Sequence, residues 1–309
     1  MWGIELPQFF IDGPVDVELI ERFSTRAEDL GFDGLWVEDL PPRDFPWIEP
    51  VALLTYVSAL TTRVTLGTNI LITPIREPVQ LAKSLSVLDQ LSGGRLVLGA
   101  GMGGVGMQFE QYGVSSDRIV ARFLEGLDII KRLWSEPSVT YDGDFWHTKE
   151  LSMEPKPRQN PHPPIWLGAQ HPNAIRRSVR YGDGWIGSAT PTLADFREDV
   201  GRIERFLEEG ERERSDFTIA KQFRLAVDPN IERAEGRMHH QLNEIYYKWA
   251  RTSNIAVREK ENPIFGSAEQ CAERISDFVS AGADVIILQP MFDQIEHAEL
   301  LAEEVIPLV

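Results

Sequence analysis

VTLGTNILITPIREPVQLAKSLSVLDQLSGGRLVLGA, residues 64–100, carries the pattern that decides the fold. Val64 to Ile70 reads as a short buried strand, Pro78 to Leu91 as a helix, and Arg95 to Ala100 as a second strand. A strand, a crossover helix and a strand in this length form a parallel pair, because a hairpin needs no helix between its arms.

The same alternation extends in both directions. Upstream come a strand at Trp2 to Leu6, a helix at Asp16 to Leu30 ended by Gly31, a strand at Gly34 to Val37, and a helix at Ile48 to Leu60. Downstream, a long helix at Asp117 to Trp134 precedes a strand at Ile165 to Gly168 and a helix at Asn173 to Arg180. Gly184 to Ile186, Phe217 to Val227 and Val285 to Leu288 supply three more strands, with helices at Leu193 to Glu209, Ala268 to Ala281 and Ile295 to Val305. Eight strand–helix pairs in 309 residues predict an α/β chain forming a single (β/α)8 TIM barrel over 1–309, rather than a doubly wound open sheet. Two insertions interrupt it, about 136–163 after the fourth helix and 228–262 after the seventh strand. The first holds a hairpin signal, with Val139 to Tyr141 and Phe145 to His147 flanking Asp142-Gly143. The second is polar and mostly helical in pattern.

A net charge of −17 argues against nucleic acid and anionic membrane as partners, since both require a basic face. The one cysteine, Cys271, lies in a helical pattern and reads as a core thiol. MWGIELPQFF has no basic stretch followed by an apolar one, and no uncharged run is long enough to span a bilayer, so a cytoplasmic protein is expected. No two of the six histidines pair at a helical ligand spacing with a carboxylate partner, so no metal is expected.

In a barrel of this kind the chemistry sits at the C-terminal ends of the strands. Glu38 and Asp39 follow the second strand, and a carboxylate in an apolar barrel mouth can act as acid or base; a cap or an ion pair is the structural alternative for Asp39. Gly101, Met102 and Gly103 follow the fourth strand but lead into a loop, unlike a dinucleotide-binding glycine motif, which opens a helix directly. They suit a floor for a flat ring. After the fifth strand, Gly168 and Ala169 meet a helix opening at Pro172, a place where backbone amides can hold an anion; a tight turn that merely uses glycine is the alternative. No lysine stands at a strand end, which counts against Schiff-base chemistry. Trp36, Phe45 and Trp47 are candidates for an apolar substrate wall or for ordinary core.

These strand ends together resemble the bacterial luciferase-like family of flavin- or coenzyme F420-dependent oxidoreductases. The segments are GFDGLWVED, residues 64–103, DRIVARFLEGLDIIKRLW, the stretch from YDGDFWHTKEL to YGDGW, and GSAEQCAERISDFVSAGADVIILQP. The resemblance implies hydride transfer to or from a small organic substrate with F420, the GDGW at 182–185 and the Gly168 turn looking more like that branch. The alternatives are an FMN-dependent monooxygenase or a non-catalytic flavin-binding relative. It places the cofactor phosphate at Gly168, Ala169, Gln170, His171, Asn173 and Ala174, and the ring against Asp39, Thr68, Asn69, Ile70, Gly101, Met102 and Gly103. It also implies a non-proline cis peptide at Asn69–Ile70, and makes a homodimer an expectation. Many relatives carry Asp-His after the second strand; here the sequence is Asp39-Leu40, so Asp39 or Glu38 would have to act in place of the missing histidine.

Overall fold

The computed structural model describes residues 1–42, 44–103, 109–189, 191–245 and 264–309. Eight parallel strands close into a barrel: β1 (Trp2–Glu5), β2 (Gly34–Val37), β3 (Thr65–Thr68), β5 (Leu96–Gly101), β8 (Ile165–Gly168), β9 (Gly184–Gly187), β10 (Thr218–Val227) and β12 (Val285–Pro290). They pair in that cyclic order, β12 beside β1 and β9 beside β10, so the barrel has no free edge.

The outer layer consists of α1 (Val17–Asp29), α2 (Pro50–Ser58), α3 (Pro78–Ser92), α4 (Ile119–Ser135), α5 (Pro172–Tyr181), α6 (Leu193–Glu209), α8 (Ala268–Ser280) and α9 (Gln294–Leu300). Local chemistry sets their ends. Asp16 caps α1 and Glu77 caps α3 ahead of Pro78, while Thr192 and Ser267 form capping boxes on α6 and α8. The main core lies between barrel and helices, and no described helix is long and apolar enough to cross a membrane.

The barrel interior is a separate cluster: Trp36, Val97, Trp166, Ile186, Ala220, Val285 and Ile287. Trp36 is 1% exposed and stacks on Trp166 with centroids 5.3 Å apart. A Cβ on Gly3 would lie 2.3 Å from its Nε1, and one on Gly67 would lie 2.2 Å from its ring. Glycines on neighbouring strands thus make room for the indole in the barrel floor. Trp36 is therefore core and not a substrate wall.

Three sequence readings need correction. The third strand does not run unbroken to Ile70: β3 ends at Thr68, the Asn69–Ile70 bond is cis, and β4 (Leu71–Ile72) then pairs with β5. The hairpin comprises β6 (Val139–Asp142) and β7 (His147–Leu151), so the expected second arm at Phe145–His147 starts too early. The cause is Glu125 of α4, whose carboxylate accepts the N–H groups of Asp144, Phe145 and Trp146 and holds them in the turn. The last helix is not uniform, since α9 passes into a π turn at Leu301–Val305. Of the second insertion, α7 (Ile231–Ile245) and β11 (Ile264–Gly266), which pairs with β10, are described; 246–263 lies outside the described residues.

Candidate active site

At the C-terminal end of the barrel the inward positions change from apolar to polar. Glu5, Glu38, Asn69, Gln222, Arg224 and Gln289 are all buried. Gln222 binds the group together: its Nε2 donates to Glu5 Oε1 at 2.6 Å and to Glu38 Oε1 at 2.8 Å. Asn69 Nδ2 also donates to Glu5 Oε1, at 3.0 Å. Arg224 donates through Nε to Gln289 at 3.0 Å and approaches Glu38 at 3.4 Å.

Two carboxyl groups therefore share one amide in a buried pocket. Burial pushes the Glu5 pKa well above the ordinary carboxylate range; Glu38 adds to the shift and Arg224 opposes it. Glu5 is thus a buried acid that keeps its proton beyond the pH at which a free glutamate loses it. Glu38 is aimed into the pocket by Gln8, whose side chain accepts from Glu38 N at 2.9 Å and donates to Glu38 O at 2.7 Å.

Asp39 points elsewhere. Its Oδ2 accepts from Ile72 N and from Arg76 Nη2, both at 2.9 Å, and Arg76 also pairs with Glu49. Burial raises its pKa and Arg76 works against that. The carboxylate pins the chain just after the cis bond to the loop after β2, which is the ion-pair alternative the sequence left open.

On the opposite half of the same layer two strands end in glycine. Gly101 on β5 and Gly168 on β8 face Ile70, so a Cβ on Gly101 would lie 2.2 Å from Ile70 Cδ1 and one on Gly168 would lie 2.9 Å from Cγ2. Backbone and the Ile70 side chain, packed directly against the two glycines, floor this side. Thr68 does not reach it freely, because its hydroxyl donates to Gly99 O at 2.7 Å. Met102 packs partly on the core, and Gly103 adopts a left-handed φ of 84° that favours glycine.

The turn after β8 differs from the expectation in one respect. His171 is the N-cap of α5: its Nδ1 accepts from Asn173 N at 3.2 Å, and its carbonyl accepts from Ala174 N at 2.7 Å. The amides expected to hold a phosphate are therefore turned inward to His171, and Pro172 has no N–H to offer. Ala169 O accepts from Trp185 Nε1 at 2.8 Å, and Gln170 reaches across to the Ser188 hydroxyl. The Gly182–Gly184 part of GDGW lies at the other end of the barrel, and only Trp185 reaches back to the turn. Asp183 accepts from Ile165 N at the start of β8, and a Cβ on Gly184 would strike Trp166 and Thr218 O. Asp183 and Gly184 serve strand packing.

Above the polar layer sits an apolar roof. Phe9 stacks on Trp47 at 5.3 Å, Phe45 tilts against Trp47, and α7 adds Met238, Leu242 and Ile245 beside Met291 and Phe292. Phe45 and Trp47 are thus where a substrate wall would be.

Gln222 and Arg224 were missed by the reading of strand ends because they lie inside β10, and Glu5, the last residue of β1, because the strand was read as running on to Leu6. Their signal was present: one carboxylate within the apolar WGIEL, and polar residues at alternate positions of KQFRL.

A sequence profile of luciferase-like monooxygenases matches residues 11–285, and the chain belongs to that family. An F420-dependent glucose-6-phosphate dehydrogenase of Kineococcus radiotolerans is 32% identical over 204 residues, 59% of each chain and so less than two thirds of that relative. An enzyme with the same activity from Intrasporangium calvum is 29% identical over 292 residues, 89% of this chain and 81% of that one. An F420-dependent secondary alcohol dehydrogenase, solved with an F420–acetone adduct, superposes with a TM-score of 0.84 over 100% of this chain and 98% of that one, at 20% identity, a likeness of fold.

Proposed function

We propose that this chain is a coenzyme F420-dependent oxidoreductase acting on a small organic substrate. The observation that carries the reading is the divided upper layer of the barrel: Ile70 laid against Gly101 and Gly168 on one half, and the Glu5–Glu38 carboxyl pair on the other. The relatives support it by their F420 dependence. When bound, F420 would supply a hydride carrier that does not activate oxygen.

The chain's own residues do the rest. Gly101, Gly168 and Ile70 seat the ring. Gln222 and Asn69 hold Glu5 Oε1 as an acceptor, which leaves Oε2 to carry the proton that must move when a C–O bond is oxidised or reduced. Asp39 positions the bulge through Ile72 N. The aromatic roof excludes water and favours an apolar substrate.

The test is a titration of the purified protein with F420 and, separately, with FMN, followed by quenching of cofactor fluorescence. Saturable F420 binding far tighter than that of FMN is expected. Tight FMN binding alone would replace hydride transfer with oxygen-dependent monooxygenation, and binding of neither would end the cofactor reading.

The ring seat itself is open to test. Gly101→Ala drives a methyl into the flexible end of Ile70, which must shift from its place in the ring seat. F420 affinity is expected to fall by roughly tenfold or more, about 1.4 kcal/mol, with the fold retained. Adding Ile70→Ala should recover most of the loss; a double variant as weak as Gly101→Ala would show that this surface is not the ring site.

A further inference from the structure

Lys221 is the one fully buried lysine among the described residues, and the chemistry outlined so far does not use it. It lies within β10 between the inward-facing Ala220 and Gln222, so its side chain emerges on the outside of the barrel under α6 and α8. The ammonium sits over Phe223 and Phe278, with centroids at 5.0 and 5.4 Å, and donates to Ser188 O. Ser188 follows β9, and its hydroxyl is held by Gln170 of the turn after β8. One lysine thus fastens, from behind, the segment that stands beside the expected phosphate turn.

We propose that Lys221 is a positioning residue for the cofactor's phosphate: by holding the Ser188 carbonyl it presents the Ser188 hydroxyl and the Gln170 side chain to that anion from within the barrel wall. This inference rests on the cofactor reading above. A buried amine is costly unless something is gained for it, and an apolar residue would fill the same space between two phenylalanines more cheaply. The gain is a cation close behind a site for an anion.

Burial lowers the Lys221 pKa to about 7, with Arg224 adding to the effect and Asp199 opposing it. The charged groups around it are Arg224 on its own strand, Asp199 of α6 with its partner Arg202, and Arg274 and Asp277 of α8. The last two line a cavity of about 200 Å³ together with Phe223 and Phe278, the rings beside the ammonium. The amine is mainly charged below about pH 7 and mainly neutral above it, so its hold on Ser188 and its pull on an anion are both stronger on the acid side.

The experiment is F420 titration of wild type, Lys221→Met and Ser188→Ala from pH 6 to 8.5, with thermal unfolding of each. Lys221→Met is expected to weaken F420 binding about tenfold at pH 6 and about twofold at pH 8.5, while its Tm equals or exceeds that of wild type. Comparing the two proteins at each pH removes the cofactor's own titration. In the Ser188→Ala background the Lys221→Met effect should shrink, because both act through one segment. Tight wild-type binding with Lys221→Met unchanged, or a ratio that does not vary with pH, overturns the inference alone. A wild type that binds no F420 overturns the cofactor reading together with it.

Discussion

Replacing Glu5 with Gln is expected to lower turnover by at least about a hundredfold, the scale of losing a positioned general acid or base, while F420 affinity stays close to that of wild type. Glu5 Oε1 accepts from both Gln222 and Asn69, and a glutamine keeps that oxygen in place. Its amide takes the place of the protonated oxygen, so shape and hydrogen bonds survive and only the transferable proton is lost. Turnover of the Glu5→Gln variant within threefold of wild type would remove Glu5 from the chemistry.

A stability measurement checks the same residue without a substrate. The folded-state pKa of Glu5 is raised above the 4.5 of a free glutamate, so between 4.5 and the raised value the folded protein binds more protons than the unfolded chain. Stability from this group is full below 4.5 and is lost as pH rises through that window. Urea unfolding across pH 4 to 8 should therefore show a decline in wild type that Glu5→Gln lacks. Parallel curves for the two proteins would mean that Glu5 is not a buried acid.

Gly99→Ala is expected to destabilise the protein by about 3 kcal/mol or more, the upper range for overpacking a core. The added Cβ would lie 1.8 Å from the carbonyl oxygen of Thr68 and 2.9 Å from Ile186 Cδ1. The first is backbone, so no rotamer relieves it; β3 and β5 would have to move apart. Those strands frame the bulge, and Thr68 Oγ1 donates back to Gly99 O across the same gap. The measurement is thermal unfolding, with a fall in Tm on the order of 10 °C. A Tm unchanged by Gly99→Ala would show that the strands are less closely set than the geometry requires. Gly101→Ala, two residues on, meets only the end of a side chain, and so costs affinity instead of stability.

The sequence by itself determined the barrel. Alternation of short apolar strands with helices of crossover length leaves a closed parallel sheet, and the caps and glycines that end each element are local chemistry. It also determined that glycines fall at the ends of the fourth and fifth strands, because a residue without a side chain is visible in one dimension. The hairpin was misplaced because Glu125, which holds its turn, is about twenty positions away on α4. The acid pair was out of reach for a stronger form of the same reason. Glu5 and Gln222 are 217 positions apart and meet only because β1 and β10 flank β12 in a closed ring.

Direction was equally undetermined. Glu38 and Asp39 are adjacent carboxylates of nearly equal promise in the sequence, yet one joins Gln222 and Arg224 in the barrel while the other turns to Arg76 and Ile72 N. Successive side chains of an extended chain point to opposite faces, and only closure of the barrel says which face is the inside. That closure also took Lys221 out of the mouth and set it behind Ser188. Residue type and spacing fixed which elements form; burial, and with it the affinity of each carboxyl and amine for its proton, was decided by tertiary packing, because desolvation depends on neighbours that the chain order does not place together.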